Sequence, residues 1–348
     1  MAKRTTIRDV ALRAGVSTAT VDRVLNGRGG VRLDREIRVL EAAKALQATN
    51  DPKAVYARQL RIAVILQPAS DPLHAYLQKI LIDTAQQHRL LNIHYYVHHF
   101  ELSDEKAIAQ FLYKAEKEYD GIIASLPDVR EVRKQIEKLT AIMPVVLLLT
   151  DISGINRRAY VGIDNFQAGR VVGHMMGRFL GRELAAVICV SGFNSMPAHA
   201  QRCEGFQSSI KEEFNNLHVI NIDDKTHDDV NRAAELVYHY MKLYPSIRGV
   251  YNASAGANTI VEAIKKLGRT SDTVFITHEL TPDRSSLLQS GLIDAIIDQD
   301  PEAQIKAATE IMASHFHRLT HDRLSRPTLF RVFMPGMIPK NSEELEIL

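Results

Sequence analysis

The sequence predicts two architectures in one chain: an N-terminal all-α head in the form of a helix-turn-helix, and an α/β two-lobed body in which each lobe is a doubly wound parallel sheet. Three observations predict it. The charge is uneven, because residues 1–61 hold 13 Lys and Arg against 6 Asp and Glu, a balance of +7, and the remainder carries −5 although the formal net charge is +2. Apolar residues in the first 46 positions recur three and four apart, the spacing of helices. From Arg61 onward, short apolar β-rich runs alternate with helical stretches, the pattern of parallel strands and crossover helices.

The head is justified element by element. Thr6 precedes Ile7, Val10, Ala11 and Ala14 on one helical face, and Asp9 stands where a capping-box partner is needed. Gly15 suits a left-handed helix end, Val16 supplies an apolar plug, and Ser17 is a good cap for a second helix. In that helix Val21, Val24 and Leu25 are spaced to pack inward, leaving Ser17, Thr18, Ala19, Asp22 and Arg23 outward. Ser17 and Thr18 can hydrogen-bond phosphates or bases, Ala19 suits a thymine methyl, and Arg23 suits guanine O6 and N7. Asn26 and Arg28 lie in the following Gly-rich loop, with Arg28 placed for a phosphate. Leu33, Ile37, Leu40, Ala43 and Leu46 predict a third helix. A basic module ahead of a mildly acidic body is the footprint of a polyanion-binding head.

The body shows its strands as RIAVIL, NIHYYV, GIIAS, PVVLLLT, AYVGI, LAAVICVSG, LHVINI, RGVYNAS, TVFITHE, DAIIDQD and TLFRVFM. These are too many for one small sheet, so two lobes are expected. The expected boundaries are a head at 1–49, a linker at 50–61, a body at 62–340 and a tail at 341–348. Lobe one takes about 62–160 plus 295–325, and lobe two about 161–292 plus the C-terminal strand. Ligands of doubly wound folds sit at the carboxyl ends of strands, which makes Asp71, Ser125, Asp151, Asp164, Asn165, Asn252, His278, Glu279 and Gln299 binding candidates.

The composition, 45% apolar and 24% charged among 348 residues, excludes disordered, collagen-like and rod-like chains. No apolar run is long enough for a membrane span, and the start MAKRTTIRDV has no apolar signal core. The two cysteines form no C-x-x-C pair, so a reducing, cytoplasmic location is expected. The motifs G-x-G-x-x-G, G-x-x-x-x-G-K-[ST] and G-x-S-x-G are absent, which disfavours an α/β enzyme. His94, Tyr96 and His98 share a strand face without the carboxylate or cysteine partners of a metal site. Neither a metal nor a cofactor is expected.

The segment TIRDVALRAGVSTATVDRVLNGRGGVR closely resembles the head of the LacI/GalR (lactose-repressor) family of transcription regulators over residues 6 to 31, through its I-x-D-V-A, A-G-V-S and T-V-x-R-V-L-N series. The resemblance implies groove contacts by Thr18, Ala19 and Arg23, and phosphate contacts by Ser17 and Thr20. Asp22 departs from the family, where serine is usual. The linker departs too: Ala57 and Leu60 match the A-x-x-L of a hinge helix, but an apolar strand begins at about Ile62, leaving Leu60 as either a minor-groove wedge or a core residue.

The body resembles the family's ligand-sensing half, similar in fold to periplasmic sugar-binding proteins of type I, through VGIDNFQAGRVVGHMMGRFLG, the R-x-x-G-F run from Arg202, YNASAGAN, HELTP and GLIDAIIDQDP. By that resemblance Arg202, Asn252 and Gln299 meet sugar hydroxyls, Asp151 adds a contact from the neighbouring lobe, and Glu279 takes the place of a usual aspartate. With no tryptophan in the chain, Tyr76, Phe166 or Phe193 would supply any stacking platform. The implied partners are double-stranded operator DNA, a small sugar or sugar derivative, and a second copy in a homodimer. A sugar-binding protein without a DNA role is the alternative.

Overall fold

The computed structural model of the chain describes residues 6–25, 28, 30–47, 59–88, 91–193, 195–222, 229–319 and 328–337. Three helices form the head: α1 (Ile7–Ala14), α2 (Thr18–Leu25) and α3 (Leu33–Gln47). A reciprocal capping box starts α1. The Thr6 Oγ1 accepts from the Asp9 amide at 3.3 Å, and Asp9 Oδ2 accepts from the Thr6 amide at 2.8 Å. Gly15 ends it at φ 64°, donating its N–H to the carbonyls of Ala11 and Leu12, a left-handed cap that a Cβ would strain. Val10, Ala11, Ala14, Val21 and Val24 then close a small core against Val39, Leu40, Ala42 and Ala43 of α3.

Two sequence expectations shift here. Leu25 and Ile7 are exposed at their helix ends, where the small core does not reach. On α3, Leu40 and Ala43 are buried as the spacing predicts, but Ile37 and Leu46 are only half-buried, while Glu36 and Val39 are enclosed. The reason is a second neighbour: Leu91, Ala313 and Leu319 of the body join the same apolar cluster, so the buried face of α3 is wider than packing on α1 and α2 alone requires.

The first sheet contains β1 (Leu60–Leu66), β2 (Ile93–His99), β3 (Gly121–Ala124), β4 (Val145–Leu148) and β5 (Ala159–Val161), all parallel in the order β2-β1-β3-β4-β5. Helices α4 (Pro72–Gln87), α5 (Glu105–Glu118) and α6 (Arg130–Thr140) are its crossovers. The second sheet contains β6 (Ala185–Val190), β7 (Leu217–Ile222), β8 (Ile247–Asn252), β9 (Val274–His278), β10 (Ala295–Asp298) and β11 (Arg331–Phe333), in the order β11-β10-β9-β8-β6-β7, with only β11 antiparallel. Its helices are α7 (Asn165–Leu180), α8 (Pro197–Glu213), α9 (Val230–Leu243), α10 (Ala257–Lys266) and α11 (Pro282–Gln289). Apolar clusters lie on both faces of each sheet, which is why strands such as LRIAVIL read as continuous apolar runs rather than alternating ones.

The chain passes between lobes more often than a single linker allows. The sequence assigns 295–325 to lobe one, but β10 pairs with β9 at Ala295–Ile276 through Ile297–His278 and belongs to lobe two. Only the following helix, α12 (Pro301–His315), returns to the first sheet, burying Ile305, Ala308, Ile311 and Met312 among β1, β3 and β4 side chains. Asp300 turns the chain at φ 56° and caps α12 by accepting from the Ala303 amide. Periodicity cannot see this exchange, because a buried parallel strand looks alike in either sheet.

Leu60 is decided by the same geometry. It is the first residue of β1, pairs with Ile93, donates its N–H to the Asn92 carbonyl at 3.0 Å and is 4% exposed. It is a core residue in this structure and not a wedge on a separate hinge helix. Ala57, the other hinge candidate, lies outside the described residues.

Candidate functional site

The cleft between the lobes is built from strand ends, as elementary α/β geometry demands. Ser125 follows β3, Thr150 and Asp151 follow β4, Ser191 follows β6, Asn252 ends β8, Glu279 follows β9 and Gln299 follows β10. The lobes touch directly. The Asp128 amide donates to the Ser195 carbonyl at 2.6 Å, and Thr150 Oγ1 of lobe one accepts from the Ala198 amide at 3.2 Å, capping α8 of lobe two across the gap.

At the centre is Arg202, 4% exposed. Its Nε donates to Asn165 Oδ1 at 2.8 Å, Nη1 donates to the Ala253 carbonyl at 3.1 Å, and Nη2 lies 3.7 Å from Glu279 Oε1. That same oxygen accepts from Gln299 Nε2 at 2.6 Å, and Gln304 Nε2 donates to the Gln299 carbonyl at 2.8 Å. The packing of α7 on α8 makes the set possible. A Cβ at Gly169 would collide with the Arg202 carbonyl oxygen, and one at Gly205 with the Phe166 carbonyl oxygen, so glycine alone lets the two helices approach and delivers Arg202 beside Asn165.

The electrostatics follow from burial. Glu279, 7% exposed, has its carboxyl pushed up to about 7 by desolvation, with Arg202 opposing the shift. Desolvation first, and the Arg202 charge second, lowers His199 to about 3; burial lowers His74 to about 4. These imidazoles are therefore neutral at pH 7 and offer one donor and one acceptor each. Burial raises Asp151 above its ordinary range despite the Arg157 guanidinium at 2.5 Å. Among the described residues, Ser125 Oγ, Asp151 Oδ1, Ser195 Oγ, His199 Nδ1, Glu279 Oε2 and Gln299 Oε1 are buried without a protein partner. Buried polar atoms in folded proteins are nearly always satisfied, so this group at the cleft is suited to a ligand rich in hydroxyls.

The structure separates the sequence candidates. Asn165, Arg202, Glu279 and Gln299 form one set, joined by the Arg202–Asn165 and Gln299–Glu279 hydrogen bonds and the Arg202–Glu279 ion pair, with Ser125 and Asp151 contributing unpartnered oxygens. Asn252 is fully buried and spends its amide nitrogen on the Ser254 and Ala255 carbonyls and Thr277 Oγ1, shaping the turn after β8. Asp71 and Asp164 are helix caps, accepting from the His74 and Gln167 amides. Tyr76, one of the stacking candidates, donates to Glu302 Oε1 of α12 at 2.6 Å. Thr150, Ser195, His199 and His74 escape sequence reasoning. His199 stands one helical turn before Arg202, and that i, i+3 spacing was the available signal.

On the head, Ser17, Thr18, Ala19, Arg23 and Arg28 are exposed and Thr20 is half-buried. Ser17 Oγ caps α2, accepting from the Thr20 amide at 3.1 Å. Arg28, expected to be available to a phosphate, instead bonds Asp22 Oδ2 at 2.7 Å, so the unusual carboxylate on the second helix carries its own counter-charge. Asn26 lies outside the described residues.

A tri-helical head with an exposed second helix, joined to two parallel-sheet lobes closing on a polar cleft, defines a regulator built on a binding-protein body. The chain belongs to the periplasmic binding protein domain family over residues 62–317 and, through residues 6–47, to the lacI family of bacterial regulatory proteins. No curated protein matches the chain in sequence. Among solved structures it is similar to GanP, a glucose-galactose binding protein from Geobacillus stearothermophilus (22% identity, TM-score 0.71, 81% of this chain and 99% of that one). It is also similar to an ABC transporter solute binding protein from Burkholderia graminis C4D1M in complex with D-arabinose (17%, 0.74, 82% and 99%). A protein from Bacteroides fragilis described provisionally as a LacI transcriptional regulator matches likewise (16%, 0.70, 84% and 100%). At these identities the likeness shows the fold.

Proposed function

We propose that this chain is a sequence-specific DNA-binding transcriptional regulator, a repressor of sugar uptake or catabolism genes, whose operator affinity is set by a small sugar or sugar derivative held between the lobes. The observation that carries it is the Arg202, Glu279 and Gln299 cluster, with Glu279 Oε2 and Gln299 Oε1 unpartnered, in a chain that also bears the lacI-family head. A guanidinium, a carboxylate and an amide around one point bracket vicinal hydroxyls, the guanidinium donating, the carboxylate accepting and the amide able to do either.

The protein acts as a cytoplasmic homodimer in this reading, because one helix-turn-helix covers a half-site and operators are two-fold. The sugars bound by its structural neighbours support the ligand class. A thermal-shift panel tests it: D-allose, D-arabinose, D-tagatose, D-fructose, D-glucose and D-galactose, each at millimolar excess. A ligand at about 100 times its Kd stabilises by about 2.7 kcal/mol. A flat response to a broadened panel of pentoses, hexoses, polyols and sugar phosphates removes the carbohydrate assignment.

A further inference from the structure

Behind Arg202 lies chemistry that the cleft does not use. Cys203 follows Arg202 on α8, and Cys189 sits in β6. Their sulfur atoms are 3.0 Å apart, and neither thiol is bridged in a disulfide. Cys189 is 1% exposed and Cys203 9%. Both nevertheless line a groove of about 830 Å³ in lobe two, with Ser191 just after β6 and with Gln207, Lys211 and Asn221. The pair is therefore packed like core but borders solvent. A disulfide needs a sulfur separation of about 2.05 Å, so joining α8 to β6 here asks the two sulfur atoms to approach by roughly 1 Å.

We propose that Cys189 and Cys203 form a peroxide-oxidisable dithiol, a modification site that links β6 to α8 directly beneath the effector cleft. One thiol, as its thiolate, attacks a peroxide oxygen. The O–O bond breaks, leaving a sulfenic acid and a hydroxide that takes up the released proton as water. The second sulfur then displaces the sulfenic hydroxyl, which leaves with the second thiol proton as a second water. Two thiols and one hydrogen peroxide thus give one disulfide and two waters, with sulfur oxidised and the peroxide oxygens reduced. A small dithiol reverses the change. In a reducing compartment such bonds are transient and signal oxidant.

The position gives the bond consequences. Tyr251 pairs in register beside Cys189, is fully buried, and its hydroxyl lies 2.7 Å from His278 Nε2, while Glu279 is the next residue. A tie between Cys189 and Cys203 therefore tightens the helix that carries Arg202 and the strand beside the one that leads, through Tyr251 and His278, to Glu279.

The test uses the full chain and does not depend on which ligand fills the cleft. Reduced protein is exposed to a few equivalents of hydrogen peroxide, quenched by alkylation, and weighed intact. The expected result is a loss of 2 Da with no alkylation of either cysteine, a peptide joining the segments around 189 and 203, full reversal by dithiothreitol, and slower amide exchange in 197–213. Cys203→Ser and Cys189→Ser, each checked by its melting curve, should abolish the 2 Da loss, and each single change reports the same chemistry if the other fails to fold. Mass gains of 16 or 32 Da without the 2 Da loss, disulfide-linked dimers as the main product, or thiols unreactive until the protein unfolds would each overturn the proposal.

Discussion

Arg202 makes three different contacts with one guanidinium, and the site's properties follow from that residue. Replacing it by alanine removes a charge-assisted donor worth about 1.5 to 3 kcal/mol. Sugar affinity in Arg202→Ala should therefore fall at least tenfold by calorimetry, with operator binding in the absence of sugar retained. Glu279 supplies a pH test. Its carboxyl is raised to about 7 in the folded protein from the ordinary glutamate value of 4.5, so the folded state binds the proton more tightly. The associated stability is fully present below about pH 4.5 and is lost as the pH rises through about 7. Glu279→Gln should flatten this decline: the melting temperature of the wild type relative to the variant should fall between pH 5 and 7.5. A difference independent of pH would mean that the carboxyl titrates normally.

Among elements, α2 and β1 carry opposite lessons. The turn before α2 is made locally, by Gly15 and Ser17, and it presents Arg23 outward. Arg23→Ala should weaken operator binding by about 1 to 3 kcal/mol while leaving random-sequence binding nearly unchanged, as read by titration against both DNAs; an equal loss on both would make Arg23 a phosphate contact. The Asp22–Arg28 pair is exposed on this surface. At β1, Leu60 is enclosed by Ile93 and its sheet neighbours. Truncating a buried leucine costs about 2 to 5 kcal/mol, so Leu60→Ala should lower the unfolding midpoint and leave operator bending unchanged. A large loss of bending at constant stability would restore the wedge.

For the whole molecule, the two lobes meet through the Asp128–Ser195 backbone bond and the bond from the Ala198 amide to the Thr150 hydroxyl, and a ligand that favours this arrangement acts on DNA only through its differential affinity for it. Linkage requires the effect to be reciprocal. Saturating operator should change sugar affinity by the same factor by which sugar changes operator affinity, measurable by calorimetry with and without DNA. The dimer should protect a roughly palindromic site, and its affinity should fall steeply with salt as phosphate-bound counterions are released. Monomeric stoichiometry on a single half-site would contradict the homodimer.

Much of this molecule is determined by short-range sequence alone. Thr6, Asp9, Gly15 and Ser17 cap their helices through contacts within a few residues, so the head is legible from composition and spacing. The strands declare themselves because both faces are buried, which leaves no polar alternation to confuse them. Arg202, Glu279 and Gln299 were legible as candidates from the family resemblance and from their places after strands or on the crossover helix. What only the tertiary structure decides is which elements share a neighbour. Strand β10 joins the second sheet, α3 widens its buried face against the body, Arg28 turns to Asp22, and Asp71 and Asp164 cap helices. Asn165, Arg202 and Glu279 meet across 37 and 77 positions of chain, because glycines at 169 and 205 let two helices approach until their backbones nearly touch. That approach is a property of packed surfaces, and local propensity contains no information about it.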